Sequence, residues 1–195
     1  VTAFNQAAAL DPALGETIFH SRWLAARAAD DAARLGMLSY QYGKENPDDA
    51  LYYYYRGWAL IERPAPSEAI ALLVEGIEST TDAAALLWFT LGHAYMAARA
   101  WPEAVTCFEA SRELLEEGDT SLDWHTEQPT VELFGALGRA YLKNGRCADA
   151  QTMLEYAIAV GASPLTYGAD LRDARLCLSS IPTPTPYVTT TPPFW

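Results

Sequence analysis

Residues that could carry acid–base or metal chemistry are few and far apart in this sequence. Its three histidines are His20, His93 and His125. Histidine is the usual side chain for proton transfer near neutral pH and a common metal ligand. The sequence has no His-Glu-x-x-His motif, no paired acids in a suggestive frame and no glycine-rich phosphate loop. It therefore predicts a non-enzyme, with no catalytic residue, no metal site and no cofactor.

One short stretch, Trp124-His125-Thr126-Glu127, places a histidine beside an aromatic and an acidic residue. It lies inside residues 118–130, a polar segment that contains Gly, Pro and Asp. Such a composition is typical of a surface loop. We interpret this segment as a loop that carries an ordinary exposed histidine.

The cysteines also lack the spacing of metal ligands. Cys107 follows an apolar helical pattern next to Phe108, which predicts a buried thiol. Cys147 and Cys177 would form a disulfide if the chain folds in an oxidising compartment, and both states remain open from the sequence.

Charge excludes one class of partner. The chain has 13 Lys and Arg against 25 Asp and Glu, for a formal net charge of −12. Without a basic run it is unsuited to nucleic acid, whose phosphates are bound by Lys and Arg. No apolar run approaches the roughly 20 residues that span a bilayer, so no membrane-spanning segment is predicted.

The elements that must position these residues are helices in pairs. Apolar residues recur three and four apart between residues 85 and 117, with a break at 99–102 that indicates a tight turn. The pattern reads Trp88-x2-Leu91-Gly92-x2-Tyr95, followed by Ala104 and Phe108. This resembles the tetratricopeptide repeat (TPR), a helical hairpin of about 34 residues.

Self-comparison extends the resemblance to residues 3–164. Gly57 and Ala69 recur 35 residues later as Gly92 and Ala104, whereas Gly92 recurs as Gly138 only after the extra residues of segment 118–130. The resemblance implies an all-α superhelix of antiparallel helix pairs. Its predicted units are a half-repeat (1–12), repeats (15–48, 50–83, 85–118, 131–164), an insertion (118–130), a terminal helix (165–180) and a Pro/Thr-rich tail (182–195).

In a TPR array the first helices of the pairs line a concave groove. Helical spacing then directs one set of side chains to that groove: Phe19, Trp23, Tyr54, Trp58, Phe89 and His93, with Arg139 as the charged member. The six ring residues are called the aromatic row below. Other residues, such as Tyr53, Leu60 and Trp88, are candidates for the hairpin interior. The alternative is that members of the row pack between hairpins.

The tail after residue 181 has prolines too dense for a helix and favours an extended conformation. Tyr187, Phe194 and Trp195 are its predicted contact residues, on the groove of this chain or of a neighbour. A linker to another segment or a glycosylated stalk are the alternatives. The compartment is not determined, although this tail and the missing initiator Met are compatible with a secreted or cell-surface protein.

The predicted function is a non-enzymatic scaffold for protein–protein interaction. It would bind an extended peptide, including a proline-rich one, along the aromatic row. The alternative is a structural subunit that associates end to end with other copies, its tail docked on a neighbour. Both functions need a protein or peptide partner and neither needs a cofactor.

Overall fold

The structure is a computed structural model that describes residues 12–47, 49–80 and 82–180, with side chains from residue 15. Within these ranges the chain is all-α, as predicted, and has no strand. None of the helices in these ranges is long and apolar enough to cross a membrane. The helices are α1 (Pro12–Ala28), α2 (Ala32–Glu45), α3 (Ala50–Glu62), α4 (Pro66–Ser79), α5 (Ala84–Ala97), α6 (Trp101–Glu116), a 3-10 helix η1 (Ser121–Trp124), α7 (Pro129–Lys143), α8 (Cys147–Ala159) and α9 (Pro164–Ser180).

Consecutive helices pack against each other along the whole array, in the manner of a helical repeat. First helices of neighbouring pairs also meet, since α3 contacts α5 and α7 contacts α9. The half-repeat predicted at residues 1–12 lies outside the described residues apart from Pro12. The predicted tail contacts Tyr187, Phe194 and Trp195 lie outside them as well.

The four hairpin turns use the same backbone hydrogen bond. The amide three residues past the last residue of each first helix donates back to a carbonyl five residues earlier, which closes the helix C-terminus. The four bonds are Asp31 N to Ala26 O, Ala65 N to Leu60 O, Ala100 N to Tyr95 O and Arg146 N to Tyr141 O, at 2.9 to 3.0 Å. The repetition of one local geometry at all four turns supports a common hairpin unit.

Small residues let the two helices of a hairpin approach closely. A Cβ added at Gly92 would lie 2.6 Å from Cε1 of Phe108, and one at Gly57 would lie 2.9 Å from Cδ2 of Leu73. A Cβ at Gly138 would meet Leu154 in the same way, at 2.7 Å. Each glycine thus faces the residue sixteen positions later, as the repeated spacing requires.

We therefore expect Gly92→Ala to lower the free energy of unfolding by about 1–3 kcal/mol, because Phe108 is fully buried and cannot move aside. Gly36→Ala in α2 is the matched control. A Cβ there meets nothing within 4 Å, so better helix propensity should stabilise the protein by about 0.5–1 kcal/mol. Urea denaturation measures both, and equal effects would contradict the close approach at Gly92.

The terminal helix α9 closes the array against α7 and α8. Its own residues Tyr167 and Ala174 are buried. Arg139 Nε of α7 lies 2.7 Å from Asp170 Oδ2 of α9. A disulfide joins Cys147 at the start of α8 to Cys177 near the end of α9, with Cα atoms 5.9 Å apart. Of the two states left open by the sequence, the structure has the oxidised one. Cys107 is a buried free thiol, and burial raises its pKa to about 12.

Candidate functional site

The aromatic row joins one cluster through Tyr55 and His125, but it does not face an open trough. Phe19 and His93 are partly exposed, whereas the other four members are buried, with exposed fractions of 0% for Trp23, Tyr54 and Phe89 and 4% for Trp58. The expectation of accessible rings is therefore wrong. Trp88, a candidate for the hairpin interior, is more exposed than these four.

The insertion, residues 118–130, covers the middle of the row, since His125 lies against Tyr54, Trp58 and Phe89. Its 3-10 helix η1 packs on α5 and places Leu122 in the core with no exposed surface. The segment predicted as a polar surface loop thus contributes to the hydrophobic core. Its polar residues face backbone groups that would otherwise lack partners, and its rings meet the row.

Asp119 and Ser121 of the insertion cap the N-terminus of α5. Asp119 Oδ2 accepts from the Ala85 amide at 3.0 Å, and Ser121 Oγ accepts from the Leu86 amide at 3.1 Å. The local N-cap, Ala83, has no side chain that could do this. Burial raises the pKa of Asp119, but hydrogen bonds from Ser121 and the Ala85 amide outweigh it, so that the pKa lies below its ordinary value.

Removing this long-range cap should weaken α5. We expect Asp119→Ala to lower the free energy of unfolding by about 1–2 kcal/mol, since the amide of Ala85 loses its acceptor. Asp123→Ala is the matched control, because Asp123 is an exposed acid of the same insertion and should change stability by less than about 0.5 kcal/mol. Chemical denaturation of both variants decides, and equal losses would contradict the capping role.

Trp124 fastens the insertion to the first two hairpins. Its indole Nε1 donates to the Tyr55 hydroxyl at 2.9 Å, and its ring lies 4.4 Å from that of His20. The Tyr55 hydroxyl is also 3.1 Å from Nδ1 of His20, and the backbone of Trp124 hydrogen-bonds His20. One residue of the insertion thus contacts α1 and α3 together.

His125 occupies the centre of the row. Its Nδ1 lies 3.0 Å from the buried Tyr54 hydroxyl, and its ring stacks on Trp58 with centroids 5.4 Å apart and planes 12° apart. The Phe89 ring is 5.0 Å away. The interpretation of His125 as an ordinary exposed histidine is wrong, because these contacts enclose its ring.

All three histidines of the sequence meet around the insertion, although they are 73 and 32 residues apart along the chain (93 − 20 and 125 − 93). His93 lies 5.0 Å from Trp58, the ring on which His125 stacks. Burial lowers the pKa of His20. Burial and the charges of Arg27 and Arg139 lower that of His93 to about 3, while burial, Arg27 and the other two histidines lower that of His125 to about 2.

Arg27 adds a fixed positive charge at the edge of the row. Its guanidinium lies 3.8 Å from the centroid of Trp58 and 5.9 Å from that of Trp23. An arginine stacked on tryptophan is stabilised by the ring's negative face. This arginine was not predicted as a site residue. The tryptophans four residues before it and 31 after it were recognised, but nothing in the sequence pairs Arg27 with Trp58.

Arg139 is not free to serve as the charged group of a groove. Besides the ion pair with Asp170, it donates to the Thr166 carbonyl at 3.2 Å and lies 4.7 Å from the Tyr167 ring centroid. A small cavity of about 50 Å³ separates it from His93, with Glu132 and Met96 in its wall. Arg139 therefore fixes the terminal helix.

Two further observations limit the chemistry of the site. In the described part of the chain, no group of three or more His, Cys, Asp or Glu side chains is arranged to hold a metal ion. The indole nitrogens of Trp23 and Trp58 are buried without a hydrogen-bond partner. The described residues thus form an aromatic enclosure that is held together by stacking, capping and burial.

Comparison with models of known protein families gives no match for this chain, and no curated protein matches its sequence.

Proposed function

We propose that the protein is a non-enzymatic scaffold of the TPR type, which binds a short segment of another protein on its aromatic row. The observation that carries this proposal is the insertion itself. Residues 119–125 lie against the row as a bound segment would, with backbone capping, side-chain hydrogen bonds and stacked rings. Such contacts give affinity and sequence preference to segments that are held by helical repeats.

The insertion indicates the chemistry of the partner segment. It would carry a carboxylate and a hydroxyl to cap α5, as Asp119 and Ser121 do. It would then carry an indole to reach the Tyr55 hydroxyl and a flat ring to stack on Trp58. This is an acidic segment with two adjacent rings, and it differs from a purely proline-rich one.

Competition explains how such a site would be regulated. A segment tethered at both ends has an effective concentration of about the millimolar range, so a free peptide of equal affinity displaces it poorly. A partner therefore needs extra contacts elsewhere on the array, or a condition that loosens the insertion.

The test supplies the segment from outside. In a Trp124→Ala/His125→Ala variant the insertion keeps its capping residues but loses both rings, which leaves the Tyr55 hydroxyl and the Trp58 ring open to the rings of a peptide. A fluorescent peptide with the sequence of residues 118–128 should bind this variant with a Kd of about 1–100 μM, and should bind wild type at least about tenfold more weakly. Fluorescence anisotropy measures both.

A control peptide with the same two alanine substitutions should bind the variant at least about tenfold more weakly than the native peptide does. Circular dichroism establishes that the variant is folded, and His125→Ala alone replaces it if it is not. A folded variant that ignores the native peptide up to millimolar concentration would overturn the proposal.

The structural alternative also has support. Leu165 and Leu176 on the terminal helix are 95% and 67% exposed, and at the other end of the array Met37 and Tyr40 are 60% and 70% exposed. Apolar ends of this kind suit contact between copies. Sedimentation equilibrium of Leu165→Asp/Leu176→Asp against wild type tests this: a monomer in both cases removes the alternative. A parallel measurement after deletion of residues 182–195 tests the tail.

A further inference from the structure

The three histidines and Arg27 are the basic side chains that gather around the insertion or belong to it. His20 comes from α1, His93 from α5 and His125 from the insertion. Each imidazole is engaged by rings or hydroxyls that suit its neutral form, such as the Tyr54 hydroxyl at Nδ1 of His125. The Arg27 guanidinium on Trp58 adds a positive charge beside them.

Adding protons to this enclosure is therefore unfavourable while the insertion is docked. In the docked state a protonated His125 would be a charged ring without water around it and close to the positive charge of Arg27. Protonation of His93 or His20 would add further positive charge to the same cluster. When the insertion leaves the row, His125 leaves with it and His20 loses its contact with Trp124. Water then reaches both imidazoles, and each binds a proton as an exposed histidine does. Release and proton uptake are thus linked.

We infer that the insertion is a pH-sensitive cover of the aromatic row, which is docked at neutral pH and leaves the row as the pH falls below about 6. This regulation rests on the proposed function, since it controls access to the same binding site. Acidification would expose the row to a partner segment without any change in the helical hairpins at the C-terminal end.

The direction of the pH effect on docking follows from the pKa values of the imidazoles. They are lowered in the docked state, so the neutral histidines favour docking above about pH 6.5, and this contribution is lost progressively as the pH falls toward the docked values. His20 and His125 together add two protons to the opening equilibrium. Opening should increase about 100-fold between pH 7.5 and 5.5, and more if His93 contributes.

Other charged groups around the cluster do not give this response in that window. Asp119 has a lowered pKa, so its protonation requires a pH below its ordinary value of 3.8. The Tyr54 and Tyr55 hydroxyls have raised pKa values and stay neutral, mainly because both are buried. On the far side of His93, Arg139 pairs with Asp170, and Glu132 lines the same small cavity.

Amide hydrogen exchange on the intact protein tests the inference with residue resolution. The amides of Ala85 and Leu86 donate to insertion side chains, so they lose protection when the insertion leaves. After correction for intrinsic rates, their protection should fall about 100-fold from pH 7.5 to 5.5. Amides in the middle of α8, such as that of Leu154, should keep their protection and serve as the reference.

His125→Phe is the variant that separates proton uptake from other effects of acid, because it keeps a flat ring for stacking on Trp58 and removes an imidazole that moves with the insertion. Its response should shrink to about tenfold. If this variant does not fold, His20→Phe takes its place, with the same expected reduction, because His20 contacts Trp124 of the insertion.

Three results would overturn the inference: a change of less than about threefold in wild type, an equal loss at the α8 reference, or a full response in the variant. No peptide is present in this experiment. A failure of peptide binding therefore leaves its outcome unaffected, and a pH-independent cover would leave the binding proposal intact.

Discussion

Trp23→Ala is expected to lower the free energy of unfolding by about 3–5 kcal/mol. The indole has no exposed surface, and its ring contacts those of Tyr54 and Tyr55 at centroid distances of 5.3 and 5.2 Å. Removing it leaves a cavity between α1 and α3 that the packed rings cannot fill without losing contacts of their own. Urea denaturation followed by circular dichroism measures the loss.

Tyr40→Ala is the matched control for this prediction. It removes an aromatic ring of the same hairpin that is 70% exposed, and we expect a change within about 0.5 kcal/mol. A loss below about 1 kcal/mol at Trp23 would mean that the ring is accessible after all. The aromatic row would then be an open groove, as the sequence alone predicted.

Loss of the disulfide is expected to have the second largest effect. Cys147→Ser/Cys177→Ser removes a bond that closes a loop with a sequence separation of 30, for which chain entropy predicts about 3–4 kcal/mol. The terminal helix α9 would retain the Arg139–Asp170 and Arg175–Glu155 ion pairs, but both are partly exposed and contribute little.

The same result should follow from reduction of the wild-type protein, measured as the shift in thermal unfolding with and without a thiol reductant. Cys107→Ser controls for the loss of a cysteine elsewhere, although its thiol is buried. A double variant as stable as wild type would contradict this prediction. Packing of Tyr167 and Ala174 would then be enough to hold α9 without the disulfide.

Much of the helical architecture could be predicted from sequence because its causes are local. The spacing of Gly92 and Phe108 indicated two helices in close contact, and the added Cβ would indeed clash there. The repeated step from Gly57 to Gly92 placed the hairpins in order. Such features need only helical periodicity and side-chain size.

The cover of the aromatic row could not be predicted in the same way. Its position depends on contacts across 69 and 71 residues, from Trp124 to Tyr55 and from His125 to Tyr54, and periodicity carries no information about them. The sequence holds two signals of this cover, but both are too weak to predict it. One is a tryptophan within a polar segment, and the other is the Asp119-x-Ser121 pair, which caps a helix elsewhere in the chain.

The most direct test of this account is whether His125 lies on Trp58 in solution. In a two-dimensional nuclear Overhauser spectrum at pH 7.5, protons of the His125 ring should show cross-peaks to the Trp58 indole and strong ring-current shifts, given centroids 5.4 Å apart. Random-coil shifts for His125, with no cross-peak to Trp58 or Phe89, would contradict the occupied row.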